Sequence, residues 1–139
     1  MMAYTLFFTT LLVISCIIIH GGALYYLETS KTKNISFFEF GKFSIVLISS
    51  HLLQILLFAY FYSYSFQNFN GQALFGGILQ NNFVDFFYFS IVCYTTLGMG
   101  DVFPLGDMRI TAGLEALIGL VLIAWTAAFK LVYLFKINK

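Results

Sequence analysis

Three long apolar segments constrain what this chain can fold into. They cover about residues 4–27, 40–66 and 110–135, and each meets or exceeds the ~20 residues that an α-helix needs to cross a bilayer core. The chain is 60% hydrophobic and 9% charged, whereas a soluble domain is about half apolar and about a quarter charged. We therefore predict an all-α membrane protein with three transmembrane helices.

A fourth apolar run, residues 83–94, is too short to cross the membrane and lies between the second and third spans. The sequence Thr-Thr-Leu-Gly-Met-Gly-Asp follows it at residues 95–101. Non-helical backbone at membrane depth is tolerated only where it is buried in protein or lines a watery path. We predict a helix that enters the membrane and stops, followed by an irregular loop.

The two glycines of this loop suggest what the loop can do. Glycine tolerates positive φ, so alternating residues around Gly98 and Gly100 can turn their carbonyls toward a common axis. Thr96 can add its own carbonyl and a hydroxyl at the inner end. In a membrane, such a row of carbonyls can replace the water around a dehydrated cation.

The wider pattern resembles the pore region of tetrameric potassium channels. The matching residues are Asp85, Tyr88, Phe89, Ser90, Thr95, Thr96, Gly98, Gly100, Asp101 and Pro104. The resemblance covers about residues 85–135, with the second span as the outer helix, and the simplest members have no counterpart of the first span. It implies an extra N-terminal helix and connection at 1–39. Residues 40–139 would then form a pore domain of outer helix, turret, pore helix, filter and inner helix.

The resemblance also implies roles for individual residues. The selectivity filter would consist of Thr96, Leu97, Gly98, Met99 and Gly100. Potassium ions would bind at the first four of these residues, as permeant ligands rather than cofactors. Tyr88, Thr95 and Asp101 would support the filter, and Tyr88 can donate its hydroxyl to Asp101.

Two filter residues depart from the family pattern, because Leu97 replaces a valine and Met99 replaces a tyrosine. Methionine has no donor and has three soft torsions, so the brace that a tyrosine hydroxyl gives many family members is weaker or absent. Discrimination between K⁺ and Na⁺ is therefore open. An apolar cuff of Phe86, Phe87 and Phe89 around Met99 is the alternative way to hold this position.

Several residues inside the spans have open roles. Gly119 is a candidate hinge of the inner helix, with close helix packing as the alternative. For Glu115 we expect a buried hydrogen bond toward the pore helix or an adjacent helix, with ion binding as the alternative. Antiparallel packing can bring His20 and His51 together, close to Gln54, either as a proton sensor or as hydrogen bonds between helices.

Basic residues predict the orientation, because they are enriched on the cytoplasmic side. On one side are Lys31, Lys33, Lys42, Lys130, Lys136 and Lys139. Arg109 is on the other. The N-terminus is then outside, the first connection and the C-terminus are cytoplasmic, and the uncharged loop 67–82 forms an outer turret.

The resulting hypothesis is a potassium-conducting pore subunit in the plasma membrane, in contact with lipid and assembled as a homotetramer. A prokaryotic source and a separate regulatory subunit are further expectations. The net charge of +1 gives no support for nucleic-acid binding. The sequence near the glycine loop also has no nucleophile paired with a base, so it does not point to an enzyme. The alternatives are a non-selective monovalent cation channel and a non-conducting helical scaffold.

Overall fold

Three long helices dominate the structure, a computed structural model that describes residues 2–30, 37–69, 75–77 and 82–137. The helices are α1 (Met2–Thr29), α2 (Phe37–Asn68), α3 (Phe83–Tyr94) and α4 (Met108–Ile137). Helices α1, α2 and α4 are long and apolar enough to cross a membrane. This confirms the predicted fold class of an all-α membrane protein with three spans.

Helix α3 is the short apolar run, and it has the bounds expected from the sequence. Asn82 caps its N-terminus, because the Asn82 side chain accepts a hydrogen bond of 3.0 Å from the Asp85 backbone N–H. Its 12 residues make a helix of about 18 Å at about 1.5 Å per residue. That is well short of the ~30 Å of a hydrocarbon core.

Helices α1 and α3 each pack against both α2 and α4. All four helices contribute to one hydrophobic core, with Cys16 of α1, Phe58 of α2, Phe89 of α3 and Leu122 of α4 each at most 2% exposed. The first helix, which the simplest relatives of the predicted family lack, is therefore part of the same packed body as α2, α3 and α4.

A short antiparallel ribbon, which the sequence did not predict, pairs the segment before α3 with the segment that follows residues 95–101. Strand β1 (Phe75–Gly77) pairs with β2 (Val102–Pro104). A Cβ at Gly76 would collide with the ring of Phe103, and Gly77 has φ +105°, so both positions suit glycine. Residues 70–74 and 78–81 of the predicted turret lie outside the described residues.

Two lysines lie at the same end of the molecule. The Lys42 ammonium is 5.7 Å from the centre of the Tyr26 ring, and the Lys130 ammonium is 4.0 Å from that of Phe40. Arg109 lies at the opposite end of α4. Lys31, Lys33 and Lys139 lie outside the described residues.

Candidate functional site

The segment after α3 is anchored to that helix through its backbone N–H groups. Thr96 donates to the Cys93 carbonyl at 2.9 Å, and Leu97 donates to the Val92 carbonyl at 2.9 Å. The Gly98 N–H also points to the Val92 carbonyl, at 3.4 Å. The donors of this segment are thus directed back into the C-terminal end of α3.

The carbonyls of residues 96–100, which we call the carbonyl row, have a different environment. Within the part of the chain that the structure describes, none of them accepts a hydrogen bond. Positive φ alternates along the row, at Thr96 (59°), Gly98 (59°) and Gly100 (79°). A β-branched residue such as Thr96 is a conformational outlier in this region, and such strain is characteristic of functional segments.

The side chains of residues 95–101 are exposed on the single chain. Leu97 is 59% exposed and Met99 is 62% exposed. Phe86 and Phe89, two of the rings considered for a cuff around Met99, are buried in a core cluster that does not include Met99. The row is therefore covered very little by its own subunit.

A tyrosine–carboxylate hydrogen bond joins α3 to the end of the row. The Tyr88 hydroxyl donates to Oδ2 of Asp101 at 2.8 Å, and this bond raises the pKa of the Tyr88 phenol. The other carboxylate oxygen, Oδ1, accepts a 3.0 Å hydrogen bond from the Val102 N–H at the start of β2. Asp101 thus ties the outer end of the segment to both α3 and the ribbon.

Glu115 is fully buried and connects three helices. Its Oε2 accepts a 2.6 Å hydrogen bond from the Tyr62 hydroxyl of α2. Its Oε1 lies 2.5 Å from the Ser90 hydroxyl of α3, which is also 2.8 Å from the Ile55 carbonyl. The carboxyl group therefore reaches both the short helix and the adjacent long helix.

Gly119 lies where α4 passes very close to the end of α3. A Cβ at this position would collide with the backbone carbonyl of Tyr94. Helix α4 is continuous from Met108 to Ile137, and the hinge role stays a prediction.

The two histidines, His20 and His51, lie next to the C-terminal end of α3. The ring centres of His20 and His51 are 5.0 Å apart. The Nε2 atoms of His51 and His20 lie 3.0 and 3.3 Å from the Thr126 hydroxyl of α4. Sequence reasoning singled out the histidines but missed Thr126 and Tyr94, although a polar side chain inside an apolar span was a usable signal for Thr126.

The described residues contain no group of three His, Cys, Asp or Glu side chains that could hold a metal ion.

A family model described as ion channel matches residues 50–136. The chain belongs to this family of ion channels. The match begins within α2, covers α3 and the carbonyl row, and ends within α4, so that α1 lies outside it. Comparisons with curated proteins and with solved structures gave no significant match.

Membership fixes the general role of the molecule. The channel is a multi-pass membrane protein with an ion-channel role, and its family indicates oligomeric assembly in the membrane. The family also points to transport rather than to catalysis.

Proposed function

We propose that this channel conducts potassium ions through the carbonyl row, which acts as its selectivity filter. The observation that carries the proposal is the division of the backbone groups in residues 96–100. N–H groups at the start of the row bond back into α3, and none of its carbonyls accepts a hydrogen bond from the described residues. Such carbonyls can coordinate a cation that has lost its water.

The alternating backbone conformation supports this proposal. In a chain with negative φ throughout, extended residues direct successive carbonyls to opposite sides. Positive φ at Thr96, Gly98 and Gly100 reverses alternate peptide units, which favours carbonyls on one side. In this arrangement Thr96, Leu97, Gly98 and Met99 supply the oxygen atoms for K⁺.

Electrostatics favours a cation over an anion. The carbonyl oxygens carry the negative end of each peptide dipole, and the C-terminal end of α3 adds the negative end of a helix dipole.

Side chains support both ends of the carbonyl row. Thr95 strengthens the connection between α3 and the row, because its hydroxyl donates to the Ile91 carbonyl at 2.7 Å. Tyr88 and Asp101 hold the other end.

Assembly as a homotetramer follows from the same segment. One carbonyl row cannot surround an ion, and the filters of potassium channels combine four loops. Residues 95–101 are exposed on the isolated subunit. Irregular backbone within a membrane must be buried in protein or line a watery path, and other copies of the chain would provide this cover.

A non-selective monovalent cation channel is the second candidate function. The observation that favours it is Met99, which is 62% exposed and has a side chain without a donor. A loosely held carbonyl cage would discriminate less between K⁺ and Na⁺.

The test is ion flux through the purified channel in liposomes, with the reversal potential measured under opposed K⁺ and Na⁺ gradients. We expect Gly98→Ala to abolish most of the flux, because a side chain at φ 59° costs about 1–2 kcal/mol in each subunit. Gly22→Ala is the matched control, since a Cβ there meets nothing within 4 Å. Normal flux in Gly98→Ala would exclude the carbonyl row from the ion path.

Plasma-membrane location and orientation are part of the proposal. Lys42 and Lys130 lie at one end and Arg109 at the other, so the lysine end would face the cytoplasm. A cysteine introduced at position 70 should react with an impermeant reagent from outside, and one at position 33 should not. The reverse pattern would contradict this orientation.

A further inference from the structure

A closed ring of hydrogen bonds connects all four helices next to the C-terminal end of α3. We call it the polar ring, and each member contacts the next in the order given. Its members are Ser50, His20, Thr126, His51, Tyr94 and Gln54.

The proton positions on one side of the ring follow from the chemistry of Gln54. Its amide oxygen only accepts, so the Tyr94 hydroxyl must donate to it. The Tyr94 oxygen then accepts from Nδ1–H of His51, at 2.8 Å. His51 therefore presents an unprotonated Nε2, which accepts from the Thr126 hydroxyl at 3.0 Å.

The other side of the ring continues in the same direction. With its proton directed at His51, the Thr126 oxygen accepts from Nε2–H of His20, at 3.3 Å. Nδ1 of His20 then accepts from the Ser50 hydroxyl at 3.4 Å. The Ser50 oxygen accepts from the Gln54 amide at 3.1 Å, which closes the ring with every donor matched to one acceptor.

The polar ring holds Tyr94, which lies two residues before the start of the carbonyl row. Tyr94 is the last residue of α3, and it is 1% exposed. Its side chain is fixed by the ring, and its backbone carbonyl packs against Gly119 of α4. Because Thr96 and Leu97 bond back to the last turn of α3, a displacement of Tyr94 would move the start of the row.

We propose that Tyr94 is a positioning residue for the carbonyl row, and that the polar ring couples α1 to this position through His20. The proposal rests on the proposed function of the row. Tyr88 and Asp101 fix the outer end of the segment, and Met99 lacks a polar brace in between. The polar ring then supplies the support at the inner end.

The first test removes single hydroxyls from the assembled channel. Tyr94→Phe keeps the aromatic ring, and Thr126→Val opens the polar ring on its far side without touching Tyr94. In each variant we expect K⁺ flux or the K⁺/Na⁺ permeability ratio to fall about two- to ten-fold, as for the loss of a buried hydrogen bond. Thr9→Val is the control, because it removes a buried 2.8 Å bond between α1 and α4 at Thr111, outside the ring.

The second test detects the ring by spectroscopy. The chain has 2 histidines, so ¹⁵N-histidine labelling reports on them alone. We expect His51 to carry its proton on Nδ1 and His20 on Nε2 in the wild type and in Thr9→Val. In Tyr94→Phe we expect the proton of His51 to move to Nε2, because its acceptor is gone.

The outcomes separate this proposal from the function on which it rests. A wild-type channel without ion flux would overturn the proposed function and the positioning role together. A conducting wild type with unchanged flux and permeability ratio in both Tyr94→Phe and Thr126→Val would overturn the positioning role alone. Opposite tautomers would only reverse the direction of the ring, whereas a His51 whose tautomer is the same in Tyr94→Phe and in the wild type would overturn its contact with Tyr94 and with it the ring.

Discussion

Thr96 and Met99 are the residues at which the carbonyl row is most unusual. Thr96 is β-branched and has φ 59°, so its conformation must be held by surrounding contacts such as the bond from its N–H to the Cys93 carbonyl. Met99 brings no donor, and most of its surface is exposed on the subunit. The glycines signal positive φ in the sequence, but the left-handed Thr96 could not be predicted, because residue type argues against it.

A tyrosine at position 99 tests how tightly the row is held. We expect Met99→Tyr to raise the K⁺/Na⁺ permeability ratio, because a rigid ring and a hydroxyl bond worth about 0.5–1.5 kcal/mol would be repeated in every subunit. The measurement is the reversal potential with K⁺ on one side and Na⁺ on the other.

Met99→Phe is the matched control for this prediction, since it adds the ring without the hydroxyl. A ratio that rises equally in both variants would assign the effect to packing. A wild type that is already strongly selective, with no change in Met99→Tyr, would contradict the idea of a loosely held row.

At the scale of elements, the end of α3 and the middle of α4 are in very close contact. The Tyr94 carbonyl occupies the space that a side chain at position 119 would need. This close approach explains a glycine at this position through packing, whether or not α4 also bends here.

Gly119→Ala should therefore weaken the channel. We expect a loss of stability of about 1–3 kcal/mol per subunit, typical of overpacking, together with reduced flux. Gly113→Ala on the same helix is the control, because a Cβ there meets nothing within 4 Å of its own chain. The thermal midpoint of the detergent-solubilised channel is the measurement. A stabilised but non-conducting Gly119→Ala would instead favour the hinge.

The sequence predicted the helices well because their signals are local. Apolar runs of sufficient length predicted α1, α2 and α4, and the run before the glycine loop predicted α3 with its observed bounds. The ribbon could not be predicted, because Phe75–Gly77 and Val102–Pro104 are too short for a period-2 pattern and lie far apart in the chain.

The polar ring was only partly predictable for a similar reason. Antiparallel packing suggested that His20 and His51 meet, and the structure has their rings in contact. The partners Thr126 and Tyr94 depend on the rotation of α4 and α3 about their axes, which apolar spans with weak amphipathicity do not specify.

At the scale of the whole molecule, the exposed carbonyl row predicts the assembly. Crosslinking of the purified channel in detergent or nanodiscs should end at four subunits, because four loops close a carbonyl cage. The distribution of crosslinked species on a denaturing gel is the measurement. A dominant monomer or dimer in a lipid environment would contradict the proposed pore.

The packing of α1 has a consequence for how this molecule could have been built from simpler parts. The family match starts at residue 50, yet Ser50 and Gln54 bond to His20 or to the Cys16 carbonyl of α1. A version cut down to α2, α3 and α4 would remove the α1 partner of each of these two side chains and expose them to lipid, although Ser50 and Gln54 would still bond to each other. The packing of α2 therefore depends on α1. In evolution, the loss of α1 would favour the replacement of Ser50 and Gln54 by apolar residues at the same time.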